Sequence, residues 1–240
     1  MKKLLWRMIG MRGASDYIQG MIHAGEIKRA LDIGCGASSQ LSQFRPTLWT
    51  AGLDASEPAL IQARRLEQHD QYIRADISKM DVDAVLEEVG GRPFDLVLMC
   101  DLIEHLPKRN GFELLEKCER LSQKYIIVAT PNGFLEQGPE GGNEYQRHLS
   151  GWFRHDFEGM GYTVRGAMGT KLLRGYASQP KWDFPGAIKL DWVLGWALRA
   201  ERHPRFAFSL VAIKDLRGSP ARLNAAGKIE RSPVRAPSVR

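Results

Sequence analysis

Short apolar runs alternate with amphipathic segments along more than half of this chain. Segments with apolar residues at helical spacing, such as 58–68, 81–89 and 111–122, separate the apolar runs. A strand–helix rhythm of this pitch predicts a doubly wound α/β fold, in which a mostly parallel sheet carries helices on both faces. The predicted strands are 30–33, 49–53, 72–75, 94–100 and 124–129.

Both ends of the chain depart from this rhythm. Residues 1–29, with a predicted helix over 15–27, are expected to form an N-terminal helical cap on a domain that spans 30–216. Strands predicted at 162–165 and 206–213 are far apart in sequence, so we expect them to pair antiparallel at a sheet edge. From 217 to 240, small residues, prolines and arginines predict a disordered basic tail.

The net charge of +6 is concentrated at the two ends of the chain. Residues 217–240 carry +5 and residues 1–12 carry +4, which leaves −3 for 13–216. Because the predicted folded body is slightly acidic, nucleic acid is disfavoured as a partner.

Cysteine usage and hydropathy give expectations for the cellular compartment and for membrane segments. Cys35, Cys100 and Cys118 form neither a CxxC pair nor a zinc-type cluster, which indicates reduced thiols in the cytoplasm. No stretch approaches the roughly 20 apolar residues of a membrane span, and residues 1–11 lack the features of a signal peptide.

A glycine turn, Gly34-Cys35-Gly36, follows the first predicted strand and precedes a helix that Ser38 or Ser39 would cap. Such turns let a ligand lie against bare backbone, but they also occur in sites for NAD, FAD and phosphates. Ser39 stands where the dinucleotide motif has its third glycine. Asp32, two residues before the turn, would repel a pyrophosphate and attract a cationic amino acid.

Two further acids mark strand ends. Asp54 ends the second strand, where a carboxylate can accept both hydroxyls of a ribose, and Asp76 follows the third, within reach of an adenine amino group. Aspartate is also common at strand ends because it caps helices. Three acids in register beside a glycine turn nevertheless favour one ligand crevice at the carboxyl edge of the sheet.

The motifs LDIGCG, GLDAS, ADI, FDLVLMCDLIEHL and YIIVATPNG, in this order, resemble those of class I S-adenosylmethionine-dependent methyltransferases, especially the small-molecule group. The resemblance covers about 28–165 and weakly 206–213. It implies a Rossmann-like seven-stranded, mostly parallel sheet with an antiparallel last strand, and S-adenosylmethionine as cofactor. It assigns Gly34 and Gly36 to the methionine part, Asp32 to the amino group directly or through water, Asp54 to the ribose, Asp76 to the adenine, and Asp101 to the border of the sulfonium. Cys35, Ala55 and Ile77 are expected to contact the cofactor as well.

In-line methyl transfer needs a base only when the acceptor must lose a proton. The candidate catalytic residues are His105, where the fourth strand gives way to a helix, and His148, in a loop after the fifth strand. That loop has nearby glycines and Trp152, as a mobile lid would. An ordinary hydrogen-bonded role stays open for both histidines. Asp101, Glu104 and His105 have the ligand types for a divalent ion, but the spacing equally fits a helix start, and we assign no metal.

Residues 169–204 form an insertion before the last strand and contain three of the six tryptophans. Within it, Gly186–Ala200 predicts a helix with an apolar face and an aromatic stripe. These faces either pack on the sheet or offer a surface to an apolar substrate, a second subunit, a peripheral membrane or a lipid-linked substrate. The apolar face comprises Leu190, Val193, Leu194 and Ala197, and the stripe comprises Trp192 and Trp196.

The function that these features favour is methyl transfer to a small-molecule acceptor, at an oxygen of a sugar, lipid-linked glycan, quinone or other metabolite. A non-catalytic cofactor-binding subunit with a regulatory or scaffold role is the alternative, and the three intact acids argue against it. An NAD-dependent oxidoreductase is opposed by Ser39 and Asp32. Nitrogen methylation of DNA is opposed by Cys100-Asp101-Leu102-Ile103, where a Pro-Pro-aromatic motif would stand. Acceptor identity and oligomeric state are not indicated.

Overall fold

The computed structural model describes residues 12–139, 143–175, 181–182, 186–218, 221–223 and 229–231. One seven-stranded sheet runs through the molecule in the order β3-β2-β1-β4-β5-β7-β6. Strand β7 is antiparallel to both of its neighbours, and the pairs from β3 to β5 are parallel. The strands are β1 (Arg29–Ile33), β2 (Trp49–Asp54), β3 (Gln71–Arg74), β4 (Phe94–Cys100), β5 (Ser122–Pro131), β6 (Thr163–Thr170) and β7 (Ala207–Asp215). The predicted doubly wound, seven-stranded fold is therefore confirmed.

Six α-helices of the described residues flank this sheet, and they occur close to where the apolar spacing predicts them. They are α1 (Ala14–His23), α2 (Glu57–Arg65), α3 (Val82–Glu88), α4 (Lys108–Leu121), α5 (Arg154–Glu158) and α6 (Ala187–Ala197). Buried side chains of α3, α4 and α5 pack on one face of the sheet, while α1 and the segment around Phe44 cover the other. None of the helices in the described part of the chain has the length and apolar composition of a membrane span.

The helix predicted directly after the glycine turn is absent. A single 3-10 turn, Ser42–Phe44, stands in its place. Pro46 lacks an amide hydrogen and cannot continue a ladder of helical hydrogen bonds, so little room remains for a helix. Ser39 does not cap a helix here: its hydroxyl donates to the carboxylate of Asp32 and accepts from the amide of Leu41.

Helix α6 is anchored by small and polar residues rather than by its larger apolar ones. Its buried positions are Ala187, Asp191 and Gly195. The Asp191 carboxylate accepts from the amide and hydroxyl of Thr170, at 2.8 and 2.9 Å, and from Nε of Arg174 at 2.6 Å. Three residues of the apolar face predicted from the sequence, Leu190, Val193 and Ala197, are exposed instead, because the anchoring carboxylate turns another face of the helix toward the sheet. Leu190 is 48% exposed and Val193 is 58% exposed.

Two short strands lie within the segment for which the sequence predicts disorder. Strands β8 (Ala221–Leu223) and β9 (Ile229–Arg231) pair antiparallel. The rest of 219–240, like residues 1–11 of the predicted cap and Gly141 and Gly142 of the predicted lid, lies outside the described residues. For the tail residues outside these two strands, disorder remains a prediction.

Candidate active site

The glycine turn joins β1 to the adjacent strand. The amides of Gly34 and Cys35 donate to the carbonyl of Leu53, at 2.7 and 3.1 Å. Both glycines have positive φ, 71° at Gly34 and 55° at Gly36, which side chains disfavour. A Cβ on Gly34 would lie 2.6 Å from the side chain of Leu102, whereas one on Gly36 would meet no atom within 4 Å. Open space therefore borders bare backbone at Gly36.

Asp32 is buried at the carboxyl end of β1, with 3% of its surface exposed. Burial raises the pKa of this carboxyl to about 7, and the nearby charge of Asp54 acts in the same direction, against the hydrogen bond from Ser39. Near neutral pH the group can therefore hold or release a proton. The pKa of the neighbouring Cys35 thiol is also raised by burial, which keeps that thiol protonated.

His69 lies behind Asp32, and the sequence analysis missed it. Its Nε2 is 3.8 Å from Oδ2 of Asp32. Burial lowers the pKa of this imidazole to about 4, so the contact joins a neutral ring to the carboxyl and is not an ion pair at neutral pH. Gly52 is the one signal in the sequence: a Cβ there would lie 2.8 Å from Nε2 of His69, so glycine in this strand makes room for the ring.

Asp54 is held by two backbone amides. Its Oδ2 accepts from the amide of Gly36 at 2.8 Å, and its Oδ1 accepts from the amide of Ser56 at 2.8 Å. Ser56 also N-caps α2, so the helix start and the carboxylate are fixed together. Each carboxylate oxygen keeps a further lone pair, with which it can accept a ribose hydroxyl. Ala55, beside it, is half-buried.

Asp76 stands just past β3 on the same edge of the sheet and is exposed. Its Oδ1 accepts from the amide and hydroxyl of Ser78, at 2.9 and 2.6 Å. The hydrogen bond from the Ser78 hydroxyl is the main cause that lowers the pKa of this carboxyl. Ile77 is half-buried against the core of the sheet. All three predicted acids thus lie at the carboxyl ends of neighbouring strands.

Asp101 follows β4 with left-handed backbone, at φ 48°. Its amide donates to the carbonyl of Ala129 at 2.9 Å, which ties this strained position to β5. The side chain is exposed and lines a cavity, although many protein atoms lie close to its carboxyl. The resulting desolvation raises the pKa of this carboxyl, and a positive charge on His148 would oppose the change.

The cavity beside Asp101 has a volume of about 490 Å³. Helix α1 supplies one side with residues 13–16, and β5, β6, β7 and α6 supply the others. Asp101, Thr130 and Trp192 are among its lining residues. Trp196, the other tryptophan of the predicted stripe, is 60% exposed on the outside of α6.

His105 and His148, the two predicted catalytic residues, meet at this end of the molecule. Their rings are in edge contact, with centroids 4.8 Å apart. The pKa of His105 is lowered, chiefly by burial. Glu104, which is 2% exposed, lies close to both rings, and its Oε2 accepts at 2.8 Å from the hydroxyl of Thr130, a residue that lines the cavity. Burial raises the pKa of Glu104 to about 8, and the charge of Asp101 adds to the effect.

Comparison with known protein families agrees with this geometry. Residues 31–124, which include the glycine turn and the acids at the ends of β1 to β4, match the family described as a methyltransferase domain. The strand order and the antiparallel β7 are those of the class I S-adenosylmethionine-dependent methyltransferase fold. The chain therefore contains a methyltransferase domain over 31–124 within a fold of this class.

Several solved structures are similar to this chain at low sequence identity. The plantazolicin methyltransferase BpumL, in complex with a pentazolic desmethylPZN analog and SAH, is 19% identical, with coverage of 84% of this chain and 82% of that one and a TM-score of 0.52. The same enzyme in complex with a triazolic analog and SAH is 19% identical, with coverage of 88% of this chain and 84% of that one and a TM-score of 0.51. An S-adenosylmethionine-dependent methyltransferase from Clostridium acetobutylicum is 19% identical, with a TM-score of 0.41, and only 49% of each chain is covered. No curated protein sequence matches the chain.

The arrangement of the crevice fits S-adenosylmethionine, the cofactor of this family. The order of the sheet reverses between β1 and β4, and such switch points are where open α/β sheets bind ligands. A backbone-lined opening at Gly36 and the carboxylates of Asp32, Asp54 and Asp76 surround that point. A nucleoside with a cationic amino-acid tail is the ligand that such donors and acceptors suit.

Proposed function

We propose that this methyltransferase modifies a small-molecule acceptor at an oxygen atom, in a sugar, a lipid-linked glycan, a quinone or another metabolite. The observation that carries the proposal is the cavity of about 490 Å³ next to Asp101. Its volume lies in the range of small-molecule sites, and it combines apolar walls with a few polar groups that can orient a hydroxyl.

The bound cofactor supplies a methyl group on positively charged sulfur. The protein then has to hold the acceptor close and aligned, which can contribute roughly 7–11 kcal/mol to lowering the barrier. In our proposal, Asp32 binds the amino group, Gly34, Cys35 and Gly36 the methionine part, Asp54 and Ala55 the ribose, and Asp76 and Ile77 the adenine. Asp101 borders the reacting sulfur.

His105 and His148 are proposed to act on the acceptor proton. Nδ1 of His148 lies 2.6 Å from the carbonyl of Leu135. Because a carbonyl only accepts, this nitrogen carries the hydrogen and Nε2 keeps the lone pair. A neutral imidazole oriented in this way can accept or polarise the proton of a hydroxyl.

We propose that the insertion 169–204 has two roles, contact with the acceptor inside the cavity and contact with a lipid or membrane on its outer surface. Trp192 lines the cavity and would contact the acceptor, while Ile188, Val193 and Trp196 face outward. This outer surface of 186–200 suits an acceptor that carries a lipid or lies at a membrane. BpumL, which shares this fold, has been solved in complex with a pentazolic desmethylPZN analog and SAH.

Incubation of the purified chain with labelled S-adenosylmethionine and fractionated metabolite extract tests the proposal. We expect the label to appear on an oxygen of a small molecule, identified by mass spectrometry. Label on protein or nucleic acid would contradict the proposed acceptor class. Tight cofactor binding without transfer to any fraction would favour the non-catalytic regulatory or scaffold subunit instead.

A further inference from the structure

Three side chains with metal-ligand chemistry converge beside the acceptor cavity. One ligand atom from each of Glu104, His105 and His148 lies within 4.8 Å of the others. Glu104 and His105 come from the 3-10 turn after β4, and His148 arrives from the loop that follows β5. The convergence therefore requires the folded chain, and sequence spacing alone does not reveal it.

The two imidazoles are oriented by backbone carbonyls. Nδ1 of His105 lies 3.1 Å from the carbonyl of Arg147, and Nδ1 of His148 lies 2.6 Å from that of Leu135. Each Nδ1 is therefore a donor, which leaves the lone pair of both rings on Nε2. Metal-binding histidines are held in the same way, since a carbonyl on the second nitrogen fixes tautomer and ring orientation.

Glu104 supplies the observation that points to a ligand. Its side chain is almost fully buried, and Oε2 is satisfied by Thr130, but Oε1 is buried without a hydrogen-bond partner among the described residues. A buried acceptor left in this state destabilises the fold, and more so when it is charged. A cation between this oxygen and the two imidazoles would remove that cost.

We propose that Glu104, His105 and His148 bind a divalent transition-metal ion. Two imidazole nitrogens and one carboxylate oxygen suit Zn²⁺, Co²⁺, Mn²⁺ or Fe²⁺, whereas Mg²⁺ and Ca²⁺ prefer all-oxygen sites. Thr130 touches Glu104 and also lines the cavity, so the ion would adjoin the acceptor. If the proposed O-methylation holds, the bound ion would replace the two histidines as the group that activates the acceptor, because their Nε2 lone pairs would be occupied. An acceptor hydroxyl on the ion would lose its proton to water more readily, and the oxygen would then take the methyl group.

Metal binding is tested directly on the full-length, tag-free chain, without cofactor or acceptor. Titration with Co²⁺, followed by its visible absorption and by calorimetry, should show one site per chain, and Mg²⁺ in large excess should not displace the ion. Glu104→Gln and His148→Gln keep groups that can replace the hydrogen bonds to Thr130 and Leu135, and each should weaken Co²⁺ binding at least tenfold. His155→Gln is the control, because this histidine is 80% exposed and is not part of the cluster of Glu104, His105 and His148.

The outcomes separate this inference from the proposed function. An absence of stoichiometric Co²⁺ or Zn²⁺ binding would overturn the metal site, as would binding that survives both Glu104→Gln and His148→Gln in folded protein. Methyl transfer at an undiminished rate after chelation, by a chain that binds no metal, would reject the site and leave the proposed function intact. Metal binding by a chain that methylates no small molecule would support the metal site and reject the proposed function.

Discussion

The amide of Gly36 donates a 2.8 Å hydrogen bond to Oδ2 of Asp54, so the glycine turn after β1 directly holds the acid at the end of β2. The second oxygen of that carboxylate is fixed by the amide of Ser56. Two motifs eighteen residues apart in sequence thus form one rigid unit before any ligand arrives. Preorganisation of this kind reduces the ordering that cofactor binding has to impose.

Asp54→Ala should weaken S-adenosylmethionine binding by about 1.5–3 kcal/mol, which is tenfold to somewhat more than a hundredfold. The substitution removes the acceptors for the ribose hydroxyls and the partner of the Gly36 amide. Calorimetry measures the dissociation constant, and Glu116→Ala on the exposed face of α4 controls for the loss of one negative charge. An unchanged constant in a folded Asp54→Ala protein would show that another group binds the ribose.

The raised pKa of Asp32 predicts a pH effect on stability. The carboxyl loses its proton near pH 7 in the folded chain but near pH 3.8 when exposed, so between these values the folded state holds a proton that the unfolded state has released. This contribution makes the free energy of unfolding fall as pH rises from about 4 to 7, by about 1.4 kcal/mol for each pH unit crossed. Below this window both states hold the proton, and above it both have released it, so Asp32 no longer changes the free energy of unfolding with pH.

Asp32→Asn should abolish this contribution. The free energy of unfolding of the variant, relative to the parent chain, should therefore increase from pH 4 to pH 7, as urea denaturation at several pH values would show. His69 acts in the opposite direction, because its lowered pKa makes the folded state bind fewer protons between about pH 4 and 6.5. Parallel pH profiles for variant and parent would mean that Asp32 is already ionised in the fold.

Trp192→Ala should lower turnover on the true acceptor at least tenfold, because this side chain lines the cavity. S-adenosylmethionine affinity should stay within about threefold, or roughly 0.6 kcal/mol. Trp196→Ala is the matched control: the same residue type one helical turn away is 60% exposed, and its loss should leave turnover on a soluble acceptor unchanged. Equal loss of turnover in both variants would place the acceptor elsewhere.

Gly111→Ala should destabilise the fold by about 1–3 kcal/mol. An added Cβ would clash with the ring of Trp152, which is fully buried, and overpacking of this size outweighs the gain of about 1 kcal/mol in helix propensity. Gly20→Ala in α1 meets no atom within 4 Å and should be neutral or stabilising. Thermal unfolding of the two variants compares these effects, and a Gly111→Ala protein as stable as Gly20→Ala would contradict the close packing at Trp152.

The sequence predicts much of the fold because buried strands must be apolar and their ends must carry the polar ligands. Strand β4 has the predicted bounds, and Asp32, Asp54 and Asp76 lie at the predicted edge. Predictions from the local sequence pattern are wrong where tertiary contacts determine the structure. The helix expected after Gly36 is lost ahead of Pro46, and α6 follows the hydrogen bonds of Asp191 rather than its apolar face.

Contacts between residues far apart in the sequence could not be predicted from residue spacing either. Nothing in the local sequence places His148 against Glu104 and His105, since the meeting depends on how the loop after β5 returns to the end of β4. His69 is similar: it follows α2 without any periodic signal, and only the fold brings its ring to Asp32.

If the cavity binds the acceptor, as we propose, the division of its wall has a consequence for how acceptor choice can evolve. The family match stops at residue 124, whereas most of the cavity wall belongs to α1, to the strands β5 to β7 and to α6, which lie on either side of that match or beyond it. Selection can therefore change the acceptor by altering the flanking sequence, while the module that handles the cofactor stays constant. Grafting α1 and the 169–204 segment between relatives is the corresponding route for engineering new acceptors.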